Sequence, residues 1–274
     1  MNVLSNDQKD FYDNQGYLIV PNIFDGSEID DAKKVVFATF KKFVEVDRSL
    51  LNLPQPWNHF DFDLALLRLR SSDPKLFGAM YDTAQNNVRL VRMVTKNSLV
   101  MRAADLLSTS TDMIATSGHY LRMDAPQDQR NVLKWHQDRA YYHQNKDGDN
   151  GIVATVALND ISEENGALRV CPKSHKRGFL GVTEGASKES YEVSEQLIVS
   201  DNEVSTYEEI SANLKSGEVL FINMNLFHRS GHNSSNRFRF TALTRIHKMS
   251  ADDYVPFGII FNYNAYCKDK IYGN

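Results

Sequence analysis

Hydrophobic positions change their period partway along the chain. At the N-terminus, Ser5 and Gln8 form an S-x-x-Q pattern, in which each side chain satisfies a backbone N–H left free at the start of a helix. The short helix it predicts stops near Gly16, ahead of the apolar strand YLIV and Pro21. From Ser27 onward Ile29, Ala32, Val36, Phe40 and Phe43 recur at spacings of three and four, which predicts an amphipathic helix with its phenylalanines in the core. Lys33, Lys34, Lys41 and Lys42 then fall mostly toward solvent. Between Trp57 and Leu107, DPKLFGAMYDTAQ and SLVMRAADLLS read as further helices, so the chain up to about residue 110 is predicted to be mainly helical.

Beyond that point the texture is one of short strands: MIATSGHYLRM, GIVATVALND, ALRVCP, GEVLFINM and RFRFTALTRIH, separated by turns such as KDGDNG and SEENG. No strand–helix alternation occurs in this half, which argues against a parallel sheet. The expected fold is mainly β with N-terminal helices, its core an antiparallel barrel or jelly roll. We expect a single domain over residues 1–274, helical to about 110, jelly roll over about 111–250, with the aromatic tail from 251 packed on the core.

Length and charge narrow the function classes. A chain of 274 residues can bury a full core as one domain. Charged residues make up 24% and the net charge is -4, so there is no basic field to hold a nucleic acid; the expected partner is a small molecule. The N-terminus has no basic region leading into an apolar segment, and no run of about 18 apolar residues occurs. The expected setting is therefore cytoplasmic, away from membranes. The two cysteines, Cys171 and Cys267, lie far apart, against a disulfide framework or a thiolate zinc site.

Eight histidines occur, and most must be structural. His136 and Asp138 are two apart, so on a strand both side chains leave the same face. Two imidazoles and one carboxylate suit an Fe(II) ion that keeps adjacent positions open, which requires a second histidine. GEVLFINMNLFHRSGHNSSNRFRFTALTRIH supplies one in His228, at the far end of a buried strand. The strand after it places Arg237, Arg239, Thr241, Leu243 and Arg245 on one face by period-two alternation. A guanidinium facing a barrel interior demands an anion, and its planar fork suits a carboxylate.

Three stretches together resemble the phytanoyl-CoA dioxygenase family of Fe(II)/2-oxoglutarate-dependent oxygenases: WHQD at 135–138, VALNDISEENGALRVCPKSHKRG at 156–178, and HRSGHNSSNRFRF from His228. The opening FYDNQGYLIVPNIF is similar to that family's as well. The resemblance implies a double-stranded β-helix, cupin-like, with His136, Asp138 and His228 as iron ligands. It implies Arg239, eleven residues after His228, as the partner of the far carboxylate of 2-oxoglutarate, helped by Thr241. The strand before the H-x-D motif often carries a further co-substrate contact in this family; the candidates are His119, Tyr120, Arg122 and Met123, with Tyr120 carried forward. Fe(II), 2-oxoglutarate and O2 would together hydroxylate an unactivated C–H of a small, polar metabolite, releasing succinate and CO2, with no protein acid or base required.

The same residues admit other readings. His143, five residues after Asp138, is on the wrong parity for a ligand and is a candidate for the substrate pocket beside Arg139, Tyr141 and Arg245; Asp160 or Glu163 could instead satisfy the two arginines. His232 reads as an exposed turn residue and His175 as a fold-fixing one. Zinc hydrolysis would use three ligands and an open position but leaves Arg239 without a role. A non-catalytic jelly roll that binds a sugar or small molecule has no need of triad and arginine together. Within the resemblance, an acyl-CoA or lipid substrate is the alternative to a polar metabolite, and Asp138 argues against halogenation, which dispenses with the carboxylate.

Overall fold

The computed structural model describes residues 3–118, 120–128, 132–142, 144–181, 183–184 and 197–256. Helix α1 (Asn6–Gln15) leads into β1 (Tyr17–Val20), followed by α2 (Gly26–Phe43), α3 (Arg48–Leu51), α4 (Phe60–Ser72), α5 (Pro74–Gln85), α6 (Val88–Val94) and α7 (Asn97–Leu106). The strands are β2 (Ile114–Ser117), β3 (Arg122–Asp124), β4 (Gly151–Ala157), β5 (Leu168–Val170), β6 (Thr183–Glu184) and β7 (Leu197–Ile198). After α8 (Asp201–Val204) come β8 (Ile210–Ala212), β9 (Val219–Asn223), β10 (His228–Arg229) and β11 (Arg239–Lys248).

The N-terminal signals act where the sequence put them. Ser5 caps α1 in a reciprocal capping box with Gln8, and Gly16 ends it in the left-handed conformation at φ 81°, where a Cβ would be strained. That Cβ would also sit 2.4 Å from Nδ1 of His175. His175 therefore ties the PKSH turn to the end of α1, and its Nε2 bonds the Asp13 carbonyl at 3.1 Å. Helix α2 begins earlier than Ser27, because Asp25 caps it in a second capping box with Glu28.

A large antiparallel sheet runs in the order β1-β9-β4-β11-β2, with β3 also on β11, and a small one in the order β10-β5-β8. Together they form the antiparallel jelly-roll core expected from the sequence. Helices cover the outer face of the large sheet, where Ile152, Ala154 and Val156 of β4 join Phe221 and Phe240 in one core with α2, α4, α5 and α7. Val153, Ala157, Leu220 and Ile222 point the other way, into a second core between the sheets with Ile161, Val170 and Leu214. All seven residues of β4 are buried. Its apolar run, broken only by Thr155, follows from cover on both faces rather than from a parallel neighbour. Arg237 corrects the sequence reading: β11 begins at Arg239, and Arg237 turns out to pair with the buried Asp63 of α4.

The last inward position of β11, His247, is fully buried between Ser117 Oγ at 3.0 Å from Nε2 and Asn145 Oδ1 at 3.3 Å from Nδ1. Burial, with Arg245 nearby, pushes its pKa from 6.5 down to about 4. Between those values the unfolded chain takes up a proton that the folded one refuses. Stability contributed by neutral His247 is thus complete above pH 6.5 and is lost as pH falls toward 4, by about 3 kcal/mol in all. Urea unfolding at pH 7 and pH 4.5 should show a smaller acid loss in His247→Asn than in the unaltered protein; equal losses would refute the assignment.

Candidate metal centre

His136 lies on an isolated antiparallel bridge to His228, not within a strand as expected. The two residues exchange both backbone hydrogen bonds, at 3.0 and 3.1 Å. The chain stays extended through Gln137 and then turns into a short 3-10 helix at Asp138, which still leaves His136 and Asp138 on one side. The middle residue is anchored on the other. Gln137 Nε2 donates to the carbonyls of Gly178 and Asn225 at 2.8 and 2.7 Å, and its Oε1 accepts from Leu180 N–H at 3.0 Å.

Both imidazoles are fixed in one tautomer. His136 Nδ1 lies 2.7 Å from the Lys134 carbonyl and His228 Nδ1 lies 2.8 Å from that of Leu226. A carbonyl only accepts, so each Nδ1 carries the proton and each Nε2 presents a lone pair. Those two Nε2 atoms converge on Asp138 Oδ1, at 3.3 and 3.4 Å. Bonds of about 2.1 Å at right angles to a first-row divalent ion would set neighbouring donors about 3.0 Å apart, so the donor set fits such an ion with little adjustment. Burial alone would raise the Asp138 carboxyl, but Arg245 and the two imidazoles hold it well below the usual carboxylate range. Burial pushes the His136 imidazole down from 6.5. Both shifts favour the deprotonated, ligating forms.

The triad opens on a cavity between the sheets. Its walls include Val153, Ile161, Leu214, Leu220, Ile222 and Leu243, and its polar lining includes Arg122, Ser230, Arg239, Thr241 and Arg245. Arg239 is 3% exposed, so its charge must be met inside the protein. Asp124 meets it, its Oδ2 accepting from Nε at 3.1 Å and Nη2 at 2.7 Å. Arg122 holds the same carboxylate through Nε, at 2.8 and 3.0 Å, and its Nη2 donates to Ser230 Oγ at 3.0 Å. Asp124 has no place in the sequence reading, although it stands opposite Arg239 in the β3–β11 register. Arg245 donates from Nε to Asp138 Oδ2 at 3.0 Å.

The remaining candidates are scattered. Tyr120 packs against the helical core instead of lining the cavity, and Met123 is buried in that core, so Arg122 is the member of that strand that faces the site. Arg139 is directed away, with its Nε donating to the Lys146 carbonyl and its guanidinium 5.0 Å from the Phe179 ring. Tyr141 stands edge-on to the His136 ring at 5.9 Å, and its hydroxyl accepts from Leu197 N–H at 2.8 Å. Asp160 and Glu163 pair with Lys215 and Arg169, not with Arg139 or Arg245. His232 is exposed and bonds Gln127 Oε1 at 3.0 Å. His119, His143, Cys267 and the tail from residue 257 lie outside the described residues.

The sequence profile of the family described as phytanoyl-CoA dioxygenase (PhyH) matches residues 12–241. No curated protein matches the sequence. Among solved structures, EctD from S. alaskensis with 2-oxoglutarate and 5-hydroxyectoine is 16% identical, with a TM-score of 0.58 over 92% of this chain and 82% of that one. SnoK, a non-heme α-ketoglutarate-dependent carbocyclase from nogalamycin biosynthesis, is 16% identical, with a TM-score of 0.61 over 96% and 90% of the two chains. EvdO2 from Micromonospora carbonacea var. aurantiaca is also 16% identical, with a TM-score of 0.57 over 93% and 96%. At such identity these neighbours establish a common fold. Among the described residues, no helix is long and apolar enough to cross a membrane.

Proposed function

From the premise that the chain belongs to the phytanoyl-CoA dioxygenase family, and is an Fe(II)/2-oxoglutarate-dependent oxygenase, we propose that it hydroxylates an unactivated C–H of a small polar metabolite, releasing succinate and CO2. The observation that carries the reading is the convergence of His136 Nε2, His228 Nε2 and Asp138 Oδ1 on a cavity that also holds Arg239. Iron(II) bound there supplies, with 2-oxoglutarate and O2, the oxidising power that amino-acid side chains lack.

The protein's own part is geometry and seclusion. Three ligands on one side keep the remaining positions free for co-substrate and O2. Arg239 receives the far carboxylate of 2-oxoglutarate through Nη1, which its pair with Asp124 does not use, and Thr241, two residues on along the inward face, assists it. Arg122 adds the second cation at that end of the cavity, in the role first given to Tyr120. Aliphatic walls keep water from the reacting carbon. No side chain is required to move a proton. That EctD, a neighbour in fold, is known with 2-oxoglutarate and 5-hydroxyectoine together supports a small polar substrate over an acyl chain.

Fe(II) and 2-oxoglutarate added without oxygen should give a visible charge-transfer band, and admitting air should then form succinate. A colourless mixture with iron bound would overturn the proposal.

A further inference from the structure

Among the described residues, three guanidinium groups line the cavity. Arg122 and Arg239 both hold the carboxylate of Asp124. The third guanidinium, Arg245, is held more singly. Its Nε donates to Asp138 Oδ2 at 3.0 Å, its Cζ lies 4.5 Å from the Tyr142 ring, and its side chain is 13% exposed. Beside it Gly118 leaves room: a Cβ there would stand 3.1 Å from Arg245 Cδ. Asp138 is the only carboxylate within salt-bridge distance of Arg245 among the described residues. Its two Nη groups have no hydrogen-bond acceptor there either.

Asp138 cannot neutralise Arg245 and a metal ion at once. On the function proposed above, on which this inference rests, Fe(II), Asp138 and the near carboxylate of 2-oxoglutarate sum to zero. Arg245 is then a partly buried cation with no counter-ion among the described residues, a costly state that favours uptake of an anion. With Nε engaged by Asp138, the two Nη groups form the open edge of the fork, whose parallel N–H donors match a carboxylate. We infer that the organic substrate carries one carboxylate, which docks on the Nη edge of Arg245 and so brings a neighbouring C–H to the metal. The demand for that anion arises only once metal has taken the charge of Asp138, so the substrate site is completed last.

The test uses protein loaded anaerobically with Fe(II) and 2-oxoglutarate and titrated with monocarboxylates from propionate to octanoate and with their primary amides, following the visible charge-transfer band. Entry of a molecule beside the metal should shift the band, with the better acids binding about ten-fold or more tightly than their amides. Arg245→Gln should erase the preference for acid over amide, and Arg245→Lys, which keeps the charge, should retain much of it. Equal responses to acid and amide would overturn the inference. So would a preference that survives in Arg245→Gln, acids that abolish the band by displacing 2-oxoglutarate, or no response to the whole acid series. The comparison of acid with amide needs no variant, so it decides the matter even if Arg245→Gln no longer binds iron. Failure of the unaltered protein to show the band at all would instead remove the oxygenase reading underneath.

Discussion

Alanine at His228 should abolish iron-dependent succinate formation and lower iron affinity at least about 100-fold, more than the loss of a group that merely orients a ligand. The side chain contributes one of three donors, and the two left, His136 and Asp138, stand 3.3 Å apart on one flank of the site. The fold should survive. The bridge between His136 and His228 uses main-chain atoms, so the variant keeps it and gives up only the bond from Nδ1 to the Leu226 carbonyl. Iron per chain after anaerobic gel filtration, read beside the far-ultraviolet spectrum, separates loss of a ligand from loss of structure. Full iron content with a native spectrum would show that the third ligand lies elsewhere.

Arg239→Ala is expected to raise the concentration of 2-oxoglutarate needed for the charge-transfer band by about 30-fold or more, the range for truncating one side of a buried charge pair. Iron content should stay close to that of the unaltered protein. Asp124 is not stranded by the change, because Arg122 still donates to both of its oxygens. Arg239→Lys should recover only part of the affinity, since an ammonium replaces a planar fork by a single point of charge. Loss of iron in step with the loss of 2-oxoglutarate binding would mean that Arg239 supports the metal ligands instead of the co-substrate.

Where local chemistry decides, the sequence was legible. Ser5 and Gln8 announce α1, the i, i+3, i+4 row from Ile29 to Phe40 announces α2, and period two along β11 places Arg239, Thr241, Leu243 and Arg245 on the cavity. The resemblance placed His136, Asp138 and His228, and the fold brings their donor atoms within 4.8 Å of one another. What stayed hidden depends on partners distant in sequence. Arg237 is on the right parity to face inward, yet Asp63 on a helix holds it outside the strand. Arg139 follows directly on a metal-ligand candidate, yet the short 3-10 helix turns it away toward the Lys146 carbonyl. Period two along β3 separates Arg122 from Met123, but only the β3–β11 pairing shows which of them meets the cavity. Strands β8 and β10, of three and two residues, are too short for any period to show. The one readable sign of Gln137 was its place between two ligand types; that its amide would hold three backbone groups was not.

The exchange of backbone hydrogen bonds between His136 and His228 joins segments far apart in the chain, with β4, β5, β8 and β9 of the core between them. Ligands brought together in this way exist as a set only after the barrel has closed, and a contact of such long range is costly to form early in folding. An ion on this triad therefore selects the finished fold and ignores partly folded chains. By mass action it adds about 2.7 kcal/mol to the native state at a free concentration one hundred times its dissociation constant. Iron bound there then contributes to the stability of the enzyme as well as to its activity.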